Sequence, residues 1–374
     1  MTTETKVRLF ASAQSWIERE AVRQLYATAK LEGIQQTVGF PDLHPGKDAP
    51  VGAAFVSRDR IYPHLIGGDI GCGMALFQTD LVLRDAKLDR WAKLYFHLEH
   101  AWDGDVGEFL GKHELESSEF DSALGTIGGG NHFAEVQVAD EVFDAPAFQR
   151  LQLGEQQLVV LVHSGSRGLG QSILRDYAEE HGSNGARLDS APAQDYLRGH
   201  DFARRWAQTN RELIAYRFAT VLGADAALLW DGSHNSITSH EHGGETVWVH
   251  RKGAVAADGE FVMIPGSRGA LSYLVKPLGN GGTHAWSLAH GAGRKWSRSD
   301  ARQRMRERYG RQQLLQTPLG GRVICEERDL LYEEAPAAYK NIEAVVQDLV
   351  AAGLVCVVAT FRPILTYKTR SNKR

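Results

Sequence analysis

Short apolar runs rich in β-branched residues alternate along this chain with stretches of helical periodicity. The apolar, β-branched runs are typical of strands, and the periodic stretches are typical of helices. We predict strands at 7–11, 51–57, 74–81, 133–139, 157–163, 227–233, 246–252, 261–266 and 354–367, and helices at about 18–31, 85–101, 168–181, 194–222, 297–309 and 335–352. No stretch has the composition of a linker and no repeat is visible. The pattern predicts an α+β fold, a single large domain over residues 1–374 with mixed β-sheets and peripheral helices.

The composition is that of an ordinary globular protein, with 374 residues of which 43% are hydrophobic and 24% charged. The formal net charge of -4 does not indicate a nucleic-acid binder, although the segment 294–311 is strongly basic. No signal peptide and no membrane-spanning run is visible, so we expect no membrane partner. The three cysteines, Cys72, Cys325 and Cys356, are odd in number and far apart. They favour free thiols and a cytoplasmic location.

The stretch "HLIGGDIGCGMALF" holds Asp69 and Cys72 among four glycines. Three histidines also stand where a strand pattern meets glycine: His132, His163 and His234. Taken singly, each has a structural interpretation, as a turn aspartate, a buried thiol or a hydrogen-bonded histidine. Together, one carboxylate, one thiol and three imidazoles form a candidate site for one or two divalent ions. Thiolate and imidazole favour zinc, whereas carboxylate favours manganese, and composition leaves both open.

His290 lies in a different setting, within "HGAGRKWSR". The small residues after it leave backbone N–H groups free to face a phosphate, and Arg294 can bind phosphate oxygens. A neutral imidazole there could attack a phosphoryl group and form a covalent intermediate. The alternative is a glycine-rich turn that merely caps a helix. His284 competes for the same role but lacks these neighbours, and no Walker-type phosphate loop occurs.

Several unusual strings occur here in the order that is found in RtcB-type RNA ligases. They are "PDLHPGKDAPVGAAF", "IGGDIGCGM", "GGGNHFAE", "HSGSRGLG", "SHNS", "HRKGA", "IPGS", "HGAGRKWSR" and "EAPAAYKNI". The chain resembles that family from about residue 34 to its C-terminus, and its opening resembles the branch encoded beside a homologue of peptide release factors, release factor H. Asp48 and Arg268 depart from the family, which usually has glycine and methionine at these positions, and no aromatic residue follows "SHN".

The resemblance implies a site for two manganese ions and for GTP. The ligands it implies are Asp69, Cys72, His132, His163 and His234, with the Cys72 thiolate bridging both ions. It also implies that His290 takes up GMP from GTP. The nucleotide-binding positions that it implies are Asn131, Phe133, Glu135, Asn235, Ser267, Ser272, Gly291, Ala292, Gly293, Tyr339 and Lys368. Among these, Glu135 and Lys368 would bind the guanine base and Tyr339 would stack on it. Two further residues, Arg167 and Arg294, are candidates for binding RNA phosphate.

The function that follows is an RNA ligase for repair or for tRNA or rRNA processing. It would join 2′,3′-cyclic phosphate or 3′-phosphate ends to 5′-hydroxyl ends through a GMP–histidine intermediate and an activated RNA-ppG end. RNA and GTP are the expected partners, with a functional link to a release factor homologue. Two alternatives stay open: a metal-dependent phosphodiesterase that acts on RNA ends without nucleotidyl transfer, and a non-catalytic sensor of broken RNA.

Overall fold

A computed structural model describes residues 6–370 of the chain. Each of its two large sheets contains both parallel and antiparallel strand pairs. This confirms the predicted α+β fold with mixed sheets. The strands of the described residues are β1 (Val7–Leu9), β2 (Ile34–His44), β3 (Val51–Ser57), β4 (Arg60–Ile61), β5 (Gly73–Val82), β6 (Phe133–Val142), β7 (Gln157–Ser164), β8 (Ala186–Arg187), β9 (Ala226–Ser233), β10 (Asn235–His242), β11 (Glu245–Lys252), β12 (Ala254–Ala256), β13 (Val262–Ile264), β14 (Ser272–Pro277), β15 (Ser287–Ala289), β16 (Arg322–Cys325) and β17 (Val355–Thr369).

The larger sheet has the order β13-β14-β17-β6-β7-β5-β9, and β16 pairs in parallel with β17. The second sheet has the order β1-β2-β3-β11-β10. The α-helices of residues 6–370 are α1 (Arg19–Thr28), α2 (Leu88–Trp91), α3 (Val106–Lys112), α4 (Ala145–Gln149), α5 (Gly168–His181), α6 (Ala191–Leu222), α7 (Arg298–Arg308), α8 (Arg328–Glu333) and α9 (Ile342–Ala351). None of them is long and apolar enough to span a membrane.

Strand β7 shows why the larger sheet is buried on both faces. Its run "LVVLV" is apolar at every position, which is typical of a strand that is covered on both sides. Leu158, Val160 and Val162 pack in the core cluster that contains Ile214 and Phe218 of α6. The alternate side chains Val159 and Leu161 pack on the opposite face, in a separate cluster. The strand therefore lies at the centre of the molecule, where its end is held rigidly.

Helix α6 covers this sheet and is the longest helix of the described residues. The Ser190 hydroxyl caps its first turn by accepting from the Ala193 N–H, and Gly223 ends it in the left-handed conformation at φ 76°. The helix begins three residues before the predicted start at 194. Proline at its first positions is compatible with a helix start because the N–H that proline lacks has no partner there.

The predicted helix at 85–101 is wrong, since only α2 within it is an α-helix. The Arg370 guanidinium donates to three consecutive carbonyls after α2, those of Ala92, Lys93 and Leu94, at 2.7–2.8 Å. His97 has φ 55°, and its carbonyl accepts from Arg217 at 2.7 Å. Side chains distant in sequence therefore bind the carbonyls that a helix would have used, and no local periodicity reports such bonds.

The predicted helix at 335–352 is also shorter than expected. A 3-10 turn at Pro336–Ala338 precedes α9, and the Asn341 side chain caps α9 by accepting from the Glu343 N–H. The break at Tyr339 and Lys340 takes both residues out of the helix. The Tyr339 side chain lines the cavity described below, whereas Lys340 Nζ donates to the carbonyls of Pro41 and Leu43 at 3.0 and 2.7 Å.

Candidate active site

The five predicted metal ligands lie where neighbouring strands of the larger sheet end. Asp69 and Cys72 occupy the turn that leads into β5, and His163 lies near the end of β7. His132 directly precedes β6, and His234 directly follows β9. Because β6, β7, β5 and β9 are adjacent in that order, strand pairing brings these distant positions together. The structure therefore groups the ligands at one edge of the sheet.

Two groups of three ligand atoms share Cys72. One group is Asp69, Cys72 and His132, the other is Cys72, His163 and His234, and within each group all the ligand atoms lie within 4.8 Å of one another. Cys72 Sγ is 3.4 Å from His132 Nε2 and 3.3 Å from His163 Nε2. His132 Nε2 is 3.2 Å from Asp69 Oδ2. Such separations suit donors that surround a divalent cation at about 2.0–2.3 Å. The shared thiol is placed to bridge two ions.

The protonation of the cluster fits metal binding. His132 Nδ1 lies 3.1 Å from the Ile127 carbonyl and 3.3 Å from Arg167 Nη1, and its Nε2 faces Cys72 and Asp69. Burial, followed by the neighbouring histidines, lowers the pKa of His163 and His234 well below 6.5. Burial and the Asp69 carboxylate raise the pKa of the Cys72 thiol. A divalent cation would stabilise the thiolate, so the donor set fits such an ion.

Helix α6 holds the turn that carries Asp69 and Cys72. The fully buried Arg211 donates from Nη1 to the Gly71 carbonyl at 2.8 Å and to the Ser164 carbonyl at 2.9 Å. Its Nε and Nη2 pair with the Asp231 carboxylate at 2.7 and 2.8 Å. One guanidinium therefore ties together the turn before β5, the end of β7 and strand β9. This bidentate pairing fixes the backbone beneath the ligands.

Glycine is required at Gly73, where β5 begins. An added Cβ there would lie 2.4 Å from the Gly232 carbonyl oxygen and 2.7 Å from Ser233 Cα, on the neighbouring strand β9. Both atoms belong to backbone, so neither can turn away as a flexible side chain would. The close approach of β5 and β9 sets the distance between Cys72 and His234.

His290 lies beside this cluster, and a buried carboxylate orients it. Its Nδ1 is 2.7 Å from Asp42 Oδ2, and its backbone N–H donates to the same oxygen at 3.1 Å. Asp42 is fully buried. The His290 ring centroid is 4.8 Å from that of His234. With Nδ1 bound to Asp42, the other ring nitrogen, Nε2, is the one that remains free to react.

A cavity of about 270 Å³ opens beside His290, and we call it the His290 cavity. The structure brings most of the predicted nucleotide-binding residues to its wall: Asn131, Phe133, Glu135, Ser267, Gly291, Ala292, Gly293, Tyr339 and Lys368. The predicted metal ligand His163 also lines it, so the cavity and the cluster adjoin. Residues from widely separated segments of the chain therefore surround one space, and nucleotide binding there stays a prediction.

Glu135 is a buried carboxylate in the wall of this cavity. Gln137 Nε2 donates to its Oε1 at 2.6 Å, and the Thr366 hydroxyl donates to its Oε2. Burial raises the pKa of Glu135 to about 7, against the opposing effect of these hydrogen bonds and of Lys368. The group therefore changes its charge near neutral pH.

A second buried carboxylate, Glu334, organises the cations of the wall. Arg294 Nη1 donates to it at 2.9 Å, the Tyr339 hydroxyl also donates to it, and Lys368 Nζ lies 3.8 Å away. The Arg294 guanidinium carbon lies 5.1 Å from the centroid of the Tyr339 ring. Arg294 also donates to the carbonyls of Glu333 and Trp296. Its contacts within the protein are thus extensive, and its role at RNA phosphate stays a prediction.

Three other predicted residues lie outside the cavity wall. The Ser272 hydroxyl accepts from Gln137 at 2.9 Å and is buried. The Asn235 amide donates to the Asp69 carbonyl and accepts from the Gly253 N–H, so it supports the metal turn. Arg167 has φ 58° and lies against Gly128, next to His132. Direct ligand contact by these three residues stays a prediction.

Sequence reasoning missed Asp42, Glu334 and His44. Asp42 and His44 lie in "PDLHPG" and Glu334 opens "EAPAAYKNI", so both motifs were recognised without a role for these side chains. Burial lowers the pKa of His44 to about 4, and His44 lines the cavity. No local sequence pattern could have indicated the role of Asp42, because its partner His290 lies 248 positions later in the chain.

Comparison with known proteins agrees with this geometry. The family model described as tRNA-splicing ligase RtcB matches residues 24–123 and 110–369 of the chain. The chain belongs to the RtcB family. The RNA-splicing ligase RtcB2 of Escherichia coli is 46% identical to this RtcB family member over 369 residues, which covers 97% of this chain and 96% of the relative. The tRNA-splicing ligase RtcB of Archaeoglobus fulgidus is 30% identical over 441 residues, covering 93% and 91% respectively.

Proposed function

We propose that this chain is a GTP-dependent RNA ligase that joins 2′,3′-cyclic phosphate or 3′-phosphate ends to 5′-hydroxyl ends. Two relatives that align with nearly the whole chain are named as RNA ligases. The observation that carries the proposal is the contact between His290 and the metal cluster, with ring centroids 4.8 Å apart at His234. A nucleophile and a candidate metal centre thus share one site.

His290 Nε2 is the proposed nucleophile, because Nδ1 is bound to Asp42 Oδ2. The Nε2 lone pair attacks the α-phosphorus of GTP, an N–P bond forms, and the bond to pyrophosphate breaks. The phosphorylated ring carries positive charge, which the buried Asp42 carboxylate stabilises. Asp42 therefore orients the ring and favours the covalent intermediate.

At a 2′,3′-cyclic end, water first attacks the phosphorus and the bond to the 2′-oxygen breaks, which leaves a 3′-phosphate and a 2′-hydroxyl. The GMP then passes to the RNA. An oxygen of the RNA 3′-phosphate attacks the phosphorus, the N–P bond breaks, and the activated RNA-ppG end forms. The 5′-hydroxyl next attacks the activated phosphate, loses its proton to solvent, and expels GMP. The wall of the His290 cavity holds the guanine throughout, with Glu135 as acceptor for the base N–H groups and Tyr339 beside the ring.

Two divalent cations, which we propose to be manganese, would be held by the two groups of ligands that share Cys72. When bound, such ions supply positive charge that stabilises the phosphoryl oxygens and orients the reacting ends. Zinc is the alternative that thiolate and imidazole would favour. Titration calorimetry of the metal-free protein with manganese and with zinc distinguishes the two ions by their stoichiometry and affinity.

The RNA substrate class is broken tRNA or rRNA, and the proposed setting is the cytoplasm, where the free thiol of Cys72 stays reduced. The resemblance of the chain's opening to the branch encoded beside release factor H supports a functional link to a release factor homologue. Co-purification with such a homologue, or loss of repair when it is deleted, would test that link.

Ligation of defined oligonucleotides tests the proposed activity. One RNA carries a 3′-phosphate and the other a 5′-hydroxyl, and the reaction contains GTP and manganese. We expect a joined product from the wild type and from His181→Ala, since His181 lies outside the site, and none from His290→Ala. The metal-dependent phosphodiesterase alternative predicts shortened or dephosphorylated RNA, no joined product and no requirement for GTP.

A further inference from the structure

Two rows of arginine side chains lie on helix α7, on either side of its buried face. Arg302 and Arg306 form the first row, and Arg304 and Arg308 form the second. The two members of each row are four residues apart, so their like charges are neighbours on the helix surface and repel each other. Each row is therefore stabilised by an anion that lies beside it.

The first row has that anion within the protein. Arg302 Nη1 donates to the Asp329 carboxylate at 2.8 Å and lies 3.4 Å from Glu333, and Arg306 pairs with the other oxygen of Asp329. Both carboxylates belong to helix α8. The first row thus joins two helices, and its charge is largely compensated.

The second row, which we call the open arginine row, has no such partner. Neither Arg304 nor Arg308 has a carboxylate oxygen within 4.0 Å among residues 6–370. Their guanidinium carbons lie 5.0 and 5.2 Å from the ring centroids of Trp296 and Tyr309, respectively. A guanidinium that lies on an aromatic ring keeps its N–H edge available to an anion. Because both arginines are exposed, the row presents two donors to solvent.

Helix α7 begins at the His290 cavity. Arg298, its first residue, lines the cavity and lies against Gly130, two positions before the predicted ligand His132. The helix has 11 residues and is therefore about 16 Å long. Nucleotides of a stacked strand repeat about every 3.4 Å, so a strand that leaves the cavity along α7 reaches the open arginine row within about four nucleotides.

We infer that the open arginine row binds backbone phosphates of the RNA strand whose 3′-phosphate enters the His290 cavity. The inference rests on the proposed function, because that strand must place its 3′-phosphate beside His290 to receive GMP. Arginine suits phosphate, since its planar fork donates two N–H groups to one anion. The row holds the strand without reading its sequence, because phosphates carry no base information. Its position along the helix that starts at the cavity favours RNA over an acidic protein surface.

RNA binding by the full chain and by a double variant, Arg304→Gln with Arg308→Gln, tests this inference. Fluorescence anisotropy with manganese and without GTP gives the affinities for 3′-phosphate RNAs of two and eight nucleotides, labelled at the 5′ end. The double variant should bind the longer RNA at least about 10-fold more weakly and the shorter RNA as the wild type does. For the longer RNA, the slope of log affinity against log salt concentration should fall by about 0.7 for each lost phosphate contact.

The matched control is Arg187→Gln with Arg198→Gln. It removes the same number of charges from exposed arginines on β8 and α6, outside the cavity and α7. This control should bind both RNAs as the wild type does. Labelling of His290 with GMP should proceed at the wild-type rate in both double variants, which shows that each of them is folded.

Each contrary result has a distinct meaning. Unchanged affinity of the open-row variant for the longer RNA would overturn the inference and leave the row to an acidic protein surface. An equal loss in the control would show an effect of net charge alone and would overturn the inference as well. A loss confined to a 5′-hydroxyl RNA labelled at its 3′ end would overturn it by assigning the row to the other strand. All three results leave the proposed function standing, whereas a wild type that forms no GMP adduct would overturn that function and this inference together.

Discussion

At the scale of single residues, the candidate site depends on buried carboxylates that orient or recognise other groups. Asp42 orients His290, Glu135 lies in the proposed guanine pocket, and Glu334 pairs with Arg294. A buried carboxylate is unfavourable unless hydrogen bonds or cations compensate it, so each of these groups has defined partners. Removal of any one is expected to affect function more than surface substitutions do.

Asp42→Asn should slow formation of the GMP–protein adduct by about 100-fold or more, because the amide cannot stabilise positive charge on the His290 ring. The rate of adduct formation from labelled GTP measures the effect. Metal content should stay at the wild-type level, since Asp42 is not among the proposed ligands. An adduct that forms at the wild-type rate would contradict the proposed role.

Guanosine should bind more tightly as the pH rises from 6 to 8. Burial raises the pKa of Glu135 to about 7, so the carboxyl is mostly protonated at pH 6 and ionised at pH 8. The ionised form accepts hydrogen bonds from both base N–H groups, whereas the protonated form has lost part of that capacity. Calorimetry with guanosine, which has no titrating phosphate, measures the trend. Glu135→Gln should remove it, and a pH-independent wild type would refute the explanation.

At the scale of secondary-structure elements, the metal cluster follows from strand order. The sequence predicted strands next to the three histidines, and the adjacency of β6, β7, β5 and β9 brings the ends of these strands together. The error at 85–101 has the opposite cause. There, Arg217 and Arg370 bind carbonyls from far along the chain, so local periodicity was misleading. Elements determined by local pattern could be predicted, and elements determined by distant side chains could not.

Gly73→Ala should destabilise the fold by about 1–3 kcal/mol, because the new methyl group would press on the backbone of β9. Gly111→Ala is the matched control, since an added Cβ there has no atom within 4 Å and lies on helix α3. That control should be neutral or slightly stabilising. Chemical denaturation of both variants gives the free energies of unfolding. If the two variants are equally stable, β5 and β9 do not approach closely enough to exclude a methyl group at position 73.

At the scale of the whole molecule, the site unites segments that the sequence separates widely. Most of the implied ligand and nucleotide-binding residues surround one cavity and one cluster, and their roles as ligands stay predictions. The pairing of Asp42 with His290 could not be read from spacing, because 248 positions separate them. This contact joins β2 of the second sheet to the segment that follows β15.

Manganese should stabilise the whole chain, because its proposed ligands lie at the ends of four neighbouring strands of the larger sheet. At a free concentration of about 100 times the Kd, the expected gain is about 2.7 kcal/mol for one bound ion. Thermal unfolding with and without the ion measures this gain as a rise in Tm. Cys325→Ala, which alters a thiol outside the cluster, should keep the rise, and Cys72→Ala should lose it. Equal shifts in both variants would argue against the bridging thiol.

The most direct test of the central claim is covalent labelling with α-phosphate-labelled GTP. The protein is incubated with the nucleotide and manganese and then separated on a denaturing gel. We predict an acid-labile, alkali-stable label that is retained in His181→Ala and absent in His290→Ala. A wild type without label at every metal and pH tested, or a label that persists in His290→Ala, would contradict the assignment of His290 as the nucleophile.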